Sequence, residues 1–332
     1  MESLVSDRRR FLRAAGAAAV TAMNVCGAGS TLKPTAQIAI TLDLEMSAQY
    51  PTREMLEWNF QKGNLDEATK RYSVGAARVA AQYGAKIHFF CVARVLEQPK
   101  VSWLKRIIEA GHPVGNHTYD HVNLKAATAQ QTQFRFQRSP WLVAGKSPND
   151  VVRENIRLAT HAMKQRLGIM PAGFRTPGGF SNGLDDREDL QQMLLDEGFK
   201  WVSSRYPPHK SGIARQPPGE DVYRSILNAQ QAAQPYRYPT GLVEIPMSPI
   251  SDVTGFRSKY WKREYFLKAV GQILDQCFER REVFDFIAHP SCLVVEDPDF
   301  EIIRLICERV RDSDGRAEFG TLDQIAARVP ER

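Results

Sequence analysis

His117 and His121 lie four positions apart, the interval that on one helical turn sets two imidazoles on one face, within reach of a single divalent metal ion. An isolated pair at this spacing also occurs on ordinary solvated helices, so its meaning depends on the rest of the chain. Asp43-Leu44-Glu45 ends a short β-branched run, and side chains two apart on a strand share a face, so both carboxylates point the same way. Two carboxylates held together are costly unless a metal or a proton sits between them. Taken alone, the tripeptide reads as a solvated turn. Arg175 leaves a strand beside Pro177-Gly178-Gly179, where a guanidinium can hold a nearby carboxylate by two hydrogen bonds. His289 follows directly on the apolar run Val283-Phe284-Asp285-Phe286-Ile287-Ala288.

Strands and helices alternate around these residues. Ala36 to Leu42 has the pattern of a buried strand, and Ala68 to Tyr83 has helical periodicity that stops at Gly84. A second strand over Lys86–Val92 and a second helix over Trp103–Ala110, with Leu104, Ile107 and Ile108 as its apolar stripe, lead to the run Gly111-His112-Pro113-Val114-Gly115-Asn116 just before His117. Helices over Val151–Leu167, Asp189–Asp196, Tyr265–Glu279 and Phe300–Arg311 are expected. Strands are expected over Ala172–Gly179 up to its turn, Phe199–Ser203, Leu242–Pro246 and Val283–Ala288, with Phe319–Leu322 closing the core. This alternation is the mark of parallel βα units. Three stretches break it. Residues 48–66 read as a loop lying over something, Leu124 to Asp150 as a surface insertion, and Tyr206 to Pro239 as a long irregular excursion of the kind that is usually functional or mobile. No repeat at a solenoid or propeller period is present.

With 332 residues and 43% hydrophobic content, one large α/β domain is the default. The net charge of +6 is partly carried by the first residues, where Arg8, Arg9, Arg10 and Arg13 stand against Glu2 and Asp7. The remaining charge is scattered, and no basic stripe with interleaved aromatics points to nucleic acid. Asp7 to Arg13 followed by the alanine-rich run Ala14–Ala22 is too short and too weakly apolar for a membrane span. It resembles a twin-arginine export signal, with small residues at Gly27-Ala28-Gly29 as a cleavage region. Residues 1–33 are therefore expected to be a signal segment read by the Tat machinery. The mature protein is expected to be periplasmic or extracellular with no stable membrane insertion; a basic N-terminal arm on a cytoplasmic protein is the other reading. Cys26 lacks a lipoprotein box, and Cys91, Cys277, Cys292 and Cys307 read as small buried hydrophobes, with a disulfide left open.

The order of these pieces resembles the polysaccharide deacetylase family, also known as the NodB-homology family or carbohydrate esterase family 4. The resemblance rests on a strand ending in an acidic pair, Gly111 to His121, the Arg175-Thr176-Pro177-Gly178-Gly179 turn and a late strand ending at His289, and it covers about residues 36 to 325. It implies a distorted (β/α)7 barrel over residues 34–328 with its active site at the strand C-terminal ends, the place where barrel enzymes gather catalytic groups. It implies that His117 and His121 are metal ligands, Asp43 the catalytic base, Arg175 the residue that orients it and His289 the general acid. The implied reaction is hydrolysis of an N-acetyl group from an N-acetylated glycan with a divalent metal, zinc first and cobalt, nickel or manganese as alternatives.

The chain departs from the family at two places. Leu44 stands where most members have the metal-binding aspartate, and Glu45 stands where they have glycine, so the third metal contact is assigned to Glu45. Near Trp201 to Ser204, typical members carry an aspartate that tunes the arginine; here Ser203 and Ser204 occupy that neighbourhood, leaving the charge partner of Arg175 unassigned. Two other functions stay open: a C–N hydrolase acting on a small cyclic amide or ureide, sometimes without metal, and a catalytically silent carbohydrate-binding homologue. Trp58, Trp141 and Trp261 are candidates either to stack on sugars or to pack against the barrel.

Overall fold

In the computed structural model, which describes residues 35–53, 60 and 62–331, the first strand, β1 (Ala36–Leu44), is buried along its length apart from a partly exposed Gln37. A strand buried on both faces reads as a near-continuous apolar run, which is why the sequence pattern here is only partly alternating. The other strands are β2 (Ile87–Cys91), β3 (Val114–Asn116), β4 (Gly173–Phe180), β5 (Trp201–Arg205), β6 (Tyr236–Arg237), β7 (Val243–Glu244), β8 (Val283–Ala288) and β9 (Ala317–Phe319). They form one sheet in the order β6-β7-β5-β4-β3-β2-β1-β8, with β9 paired to the start of β1. The run from β7 to β8 consists of seven mutually parallel strands, and only β6 is antiparallel to its neighbour.

The edges β7 and β8 approach without a full ladder. Just past β7 the Ser248 amide donates to the Asp285 carbonyl of β8 at 2.9 Å, and the side chains of Gln230 and Gln234 satisfy the backbone of Val283. The architecture is thus an incompletely closed, distorted barrel of seven parallel strands, as expected. Its helices are α1 (Glu67–Gln82), α2 (Ser102–Glu109), α3 (Phe134–Arg138), α4 (Pro148–Leu167), α5 (Glu188–Asp196), α6 (Glu220–Gln231), α7 (Arg263–Arg280), α8 (Pro290–Glu296), α9 (Glu301–Arg311) and α10 (Leu322–Ala327). Their ends follow local chemistry. Asp66 caps α1 by accepting from the Thr69 amide, and α4 opens with a Ser147/Asp150 capping box and Pro148 and closes on the left-handed Gly168.

One large core packs β1, β2 and β8 against α1, α2, α7 and α9. A second lies under β4 and β5, and it corrects the expectation for 124–150. Val122, Leu124, Ala129, Phe136 and Val143 are buried there beside Val152 and Ile156 of α4, so the stretch is a structural layer with short helical turns rather than a surface insertion. Polar residues hide the pattern because few apolar side chains suffice to cover one end of a sheet. The excursion 206–239 is likewise not irregular throughout: α6 lies within it and buries Val222, Tyr223 and Ile226. Trp261 is buried in the main core and unavailable for stacking on a sugar, whereas Trp141 is 71% exposed and Trp58 lies outside the described residues. Cys91, Cys277, Cys292 and Cys307 are buried free thiols. Cys26 and the signal-like segment 1–33 lie outside the described residues. Among those described, no helix is long and apolar enough to cross a membrane.

Candidate active site and metal centre

Thr41, Asp43 and Glu45 alternate along one face of β1 and its exit, which carries all three toward the barrel interior. Directly after β3, residues 117–121 form a loop and not the helical turn that the spacing suggested. Thr118 and His121 adopt positive φ values of 58° and 59°. The loop is held by its own polar groups: Asn116 Oδ1 accepts from the Thr118 amide at 2.8 Å, Thr118 Oγ from the Val122 amide at 3.0 Å, and Asn155 Oδ1 from the Asp120 amide at 2.9 Å. These bonds fold the chain so that the two imidazoles still meet, with ring centroids 5.0 Å apart.

Glu45, His117 and His121 form a cluster whose potential ligand atoms all lie within 4.8 Å of one another. Glu45 Oε2 is 2.7 Å from His121 Nε2 and 3.6 Å from His117 Nε2, yet it is buried and makes no aligned hydrogen bond. His117 Nδ1 donates to the Arg175 carbonyl at 2.9 Å, which fixes the tautomer and leaves the Nε2 lone pair facing the cluster. Burial works against the Glu45 carboxylate, but His121 and Lys62 beside it hold its pKa well below the ordinary value. Desolvation pushes the His121 imidazole down to about 3 despite the pull of Glu45. An ionised carboxylate and neutral imidazoles are the forms that bind a divalent cation, so the donor set fits one.

Asp43 Oδ2 lies 3.7 Å from His117 Nε2, and Asp43 Oδ1 lies 3.7 Å from Arg175 Nη1. Arg175 is fully buried, stacked 4.5 Å over the Phe90 ring, and its Nη2 donates to Asp285 Oδ2 at 2.7 Å and to Thr41 Oγ at 3.0 Å. Across the site His289 Nδ1 donates to Asp252 at 2.9 Å, and its Nε2 lies 3.5 Å from Glu45 Oε1. Asp43, Glu45, His117, His121 and His289 line one cavity of about 300 Å³. Arg175 stands behind Asp43, outside that lining.

Residues 53–193 match the family profile described as Polysaccharide deacetylase. The fold agrees with that of a polysaccharide deacetylase structure from Mycobacterium smegmatis, at 17% identity and a TM-score of 0.60, over 90% of this chain and 92% of the other. It agrees also with one from Pseudomonas aeruginosa, at 13% identity and a TM-score of 0.58, over 88% and 89% of the two chains. The family match thus covers residues 53–193, and over nearly the whole chain the fold is that of polysaccharide deacetylase structures. A search among curated proteins gives no match.

The matched stretch includes the histidine loop and Arg175, whereas Asp43, Glu45 and His289 lie outside it and join the cavity through the fold. The charge partner of Arg175 comes from β8, as Asp285, and not from the β5 neighbourhood. Ser204 instead donates to the buried Glu244 at 2.6 Å, and Ser203 Oγ makes no hydrogen bond. Burial raises the Asp285 carboxyl to about 6, with the Arg175 charge opposing. An aspartate inside an otherwise apolar strand was the available signal for it. Asp252 and Lys62 were also missed, and neither has a local pattern that marks it. Lys62 is buried with its ammonium on Glu45 Oε1, and burial lowers its pKa even though Glu45 opposes this.

Gly179 permits the cavity wall to close. A Cβ there would meet Tyr206 Cβ at 2.4 Å and Met247 Cε at 2.9 Å, and Gly178 before it adopts a φ of 74°. What reads in sequence as a tight turn after Arg175 is a β-bulge that lets β4 continue to Phe180.

Proposed function

We propose that this protein is a metal-dependent hydrolase that removes N-acetyl groups from an N-acetylated glycan. The observation that carries this reading is the Glu45-His117-His121 cluster sharing one cavity with Asp43 and His289. Glu45, His117 and His121 would hold the cation, Lys62 covering Oε1 and leaving Oε2 toward the histidines. When bound, a divalent cation supplies Lewis acidity toward a carbonyl oxygen and acidifies water. Asp43 takes the proton of the attacking water, and Arg175, fixed by Asp285 and Thr41, keeps the Asp43 carboxylate in place. His289, oriented through Nδ1 by Asp252, presents Nε2 to the cavity and delivers a proton to the departing amine. The products are acetate and a free amino group.

Purified protein is expected to hold about one equivalent of zinc, cobalt, nickel or manganese and to release acetate from N-acetylglucosamine oligomers. His121→Ala should lose the metal, and Asp43→Asn should keep it while losing acetate release. Full metal content in His121→Ala would end this assignment. Acetate release would end the silent-homologue reading.

Lys62 on Glu45 and the small cavity favour one competing reading, hydrolysis of a small cyclic amide or ureide with no metal. Turnover of such a compound in the presence of a strong chelator is its signature. The arginine pair and alanine-rich run within residues 7–22 support export by the Tat machinery, so fractionation should recover the protein outside the cytoplasm, and Arg8→Lys with Arg9→Lys should retain it inside.

A further inference from the structure

The carboxylates around the cavity already have partners: Glu45 has Lys62 and the histidines, Asp43 and Asp285 have Arg175, and Asp252 has His289. Among the described residues one cation of the cavity wall is left over. Arg257 lines the same cavity, half-buried, with its Nε buried and without a hydrogen-bond partner, and its guanidinium makes no ion pair among the described residues. A partly desolvated cation without a counter-ion is a cost that the fold carries, and it sits on the wall of the chemical site.

Its placement is built. Arg257 belongs to a π-helical turn, Val253–Ser258, and the wide turn of such a helix aligns positions four to five apart, so Val253 and Arg257 both face the cavity. The opposite side of the turn is seated on the core. Phe256 is fully buried, and a Cβ on Gly255 would meet Phe266 at 2.6 Å. The Gly255 carbonyl accepts from the Trp261 amide and its amide donates to the Ser251 carbonyl, both at 2.9 Å. Tyr206, another lining residue, lies 3.0 Å from Ser251 Oγ and 3.2 Å from Thr254 Oγ through its hydroxyl, which ties the turn to the opposite wall.

We propose that Arg257 is a specificity residue that binds an oxyanion on the substrate, so that the amide cleaved here belongs to an acidic molecule rather than a neutral one. A guanidinium offers the planar fork that matches a carboxylate or a phosphate ester. This rests on the deacetylase reading only in placing the scissile amide at the Glu45-His117-His121 cluster. The cavity, at about 300 Å³, is at the small end for ligand sites, so the anionic group lies on the same sugar unit as the N-acetyl group or next to it.

Binding is measured by calorimetry on metal-loaded protein carrying Asp43→Asn, so that no turnover intervenes. The probes are N-acetylglucosamine, N-acetylmuramic acid, N-acetylglucosamine 6-phosphate and N-acetylglutamate. The charged sugars are expected to bind at least tenfold more tightly than the neutral one, and the tighter of the two identifies carboxylate or phosphate as the group recognised. Arg257→Met should abolish that preference while leaving neutral-sugar binding within about threefold, and Arg257→Lys should restore part of it. The lysine variant together with the melting temperatures separates recognition from misfolding. Equal binding of charged and neutral sugars overturns the proposal, as does an equal loss of both in Arg257→Met at unchanged melting temperature. Arg257-dependent binding of N-acetylglutamate with no sugar binding would sink the glycan assignment and leave the anion subsite standing.

Discussion

Replacing Asp285 by Asn sets two electrostatic effects against each other beneath Asp43, the proposed catalytic base. Removing one partner of a buried ion pair ordinarily costs about 3–5 kcal/mol, because the other charge is stranded. Arg175 is not stranded here, since Asp43 Oδ1 remains 3.7 Å from its Nη1. The shape and the hydrogen bonds also survive. The Asn oxygen can accept from Arg175, and its amide can donate to Thr41 Oγ, which lies 2.9 Å from the Phe286 carbonyl and can donate there. The desolvation of Asp285 then decides the sign. Its pKa rises from an ordinary 3.8 to about 6 in the fold. An acid whose folded value is raised adds stability that is fully present below the unfolded pKa and is lost as pH climbs through the folded one. The rise of roughly two pH units at about 1.4 kcal/mol each makes ionised Asp285 a burden of about 3 kcal/mol at pH 7. Asp285→Asn should therefore be as stable as the parent at pH 4 and up to about 3 kcal/mol more stable at pH 7. Urea unfolding of both proteins across this range, with metal chelated, reads the difference. Activity should move the other way, by tenfold or more, because Arg175 without the Asp285 charge is held less firmly and no longer keeps the Asp43 carboxylate in place. A variant destabilised by 3–5 kcal/mol at pH 7, or a difference that does not shrink toward pH 4, would refute the reasoning.

Lys62→Met removes the ammonium from Glu45 Oε1 and with it the repulsion of a second cation, so metal should bind at least tenfold more tightly in competition with a chromophoric chelator; weaker binding would mean that Lys62 helps to build the site. Phe136→Ala should cost about 3–5 kcal/mol in chemical denaturation if 124–150 is a true core layer, and a cost under about 1 kcal/mol would return that stretch to the surface.

Where a pattern is local, the fold was legible. Helix periods located α1, α2, α4 and α5 to within a few residues, with glycine stops marking the ends of α1, α2 and α5, and buried apolar runs located β1, β2, β5, β7 and β8. The short strand β3 was hidden in a glycine-rich run because three residues carry no period. Helix α6 was hidden by prolines and glutamines on either side of it. In the histidine loop the spacing correctly paired His117 with His121 and misjudged the backbone. An i,i+4 interval is satisfied equally by a helical turn and by a loop folded back through two left-handed residues, and only the hydrogen bonds of Asn116, Thr118 and Asn155 select the latter.

By itself the sequence determined the kinds of element, their βα order and the identity of the residues that end strands with chemistry, since period, caps and strand ends are properties of neighbours along the chain. Only the tertiary structure decided which charges meet. Asp285 reaches Arg175 across 110 positions, Asp252 reaches His289 across 37, and Lys62 reaches Glu45 across 17. No local rule encodes such pairs. They exist because a parallel barrel brings the ends of distant strands to one rim, where burial forces charges to find partners; among the described residues Arg257 faces the cavity without one.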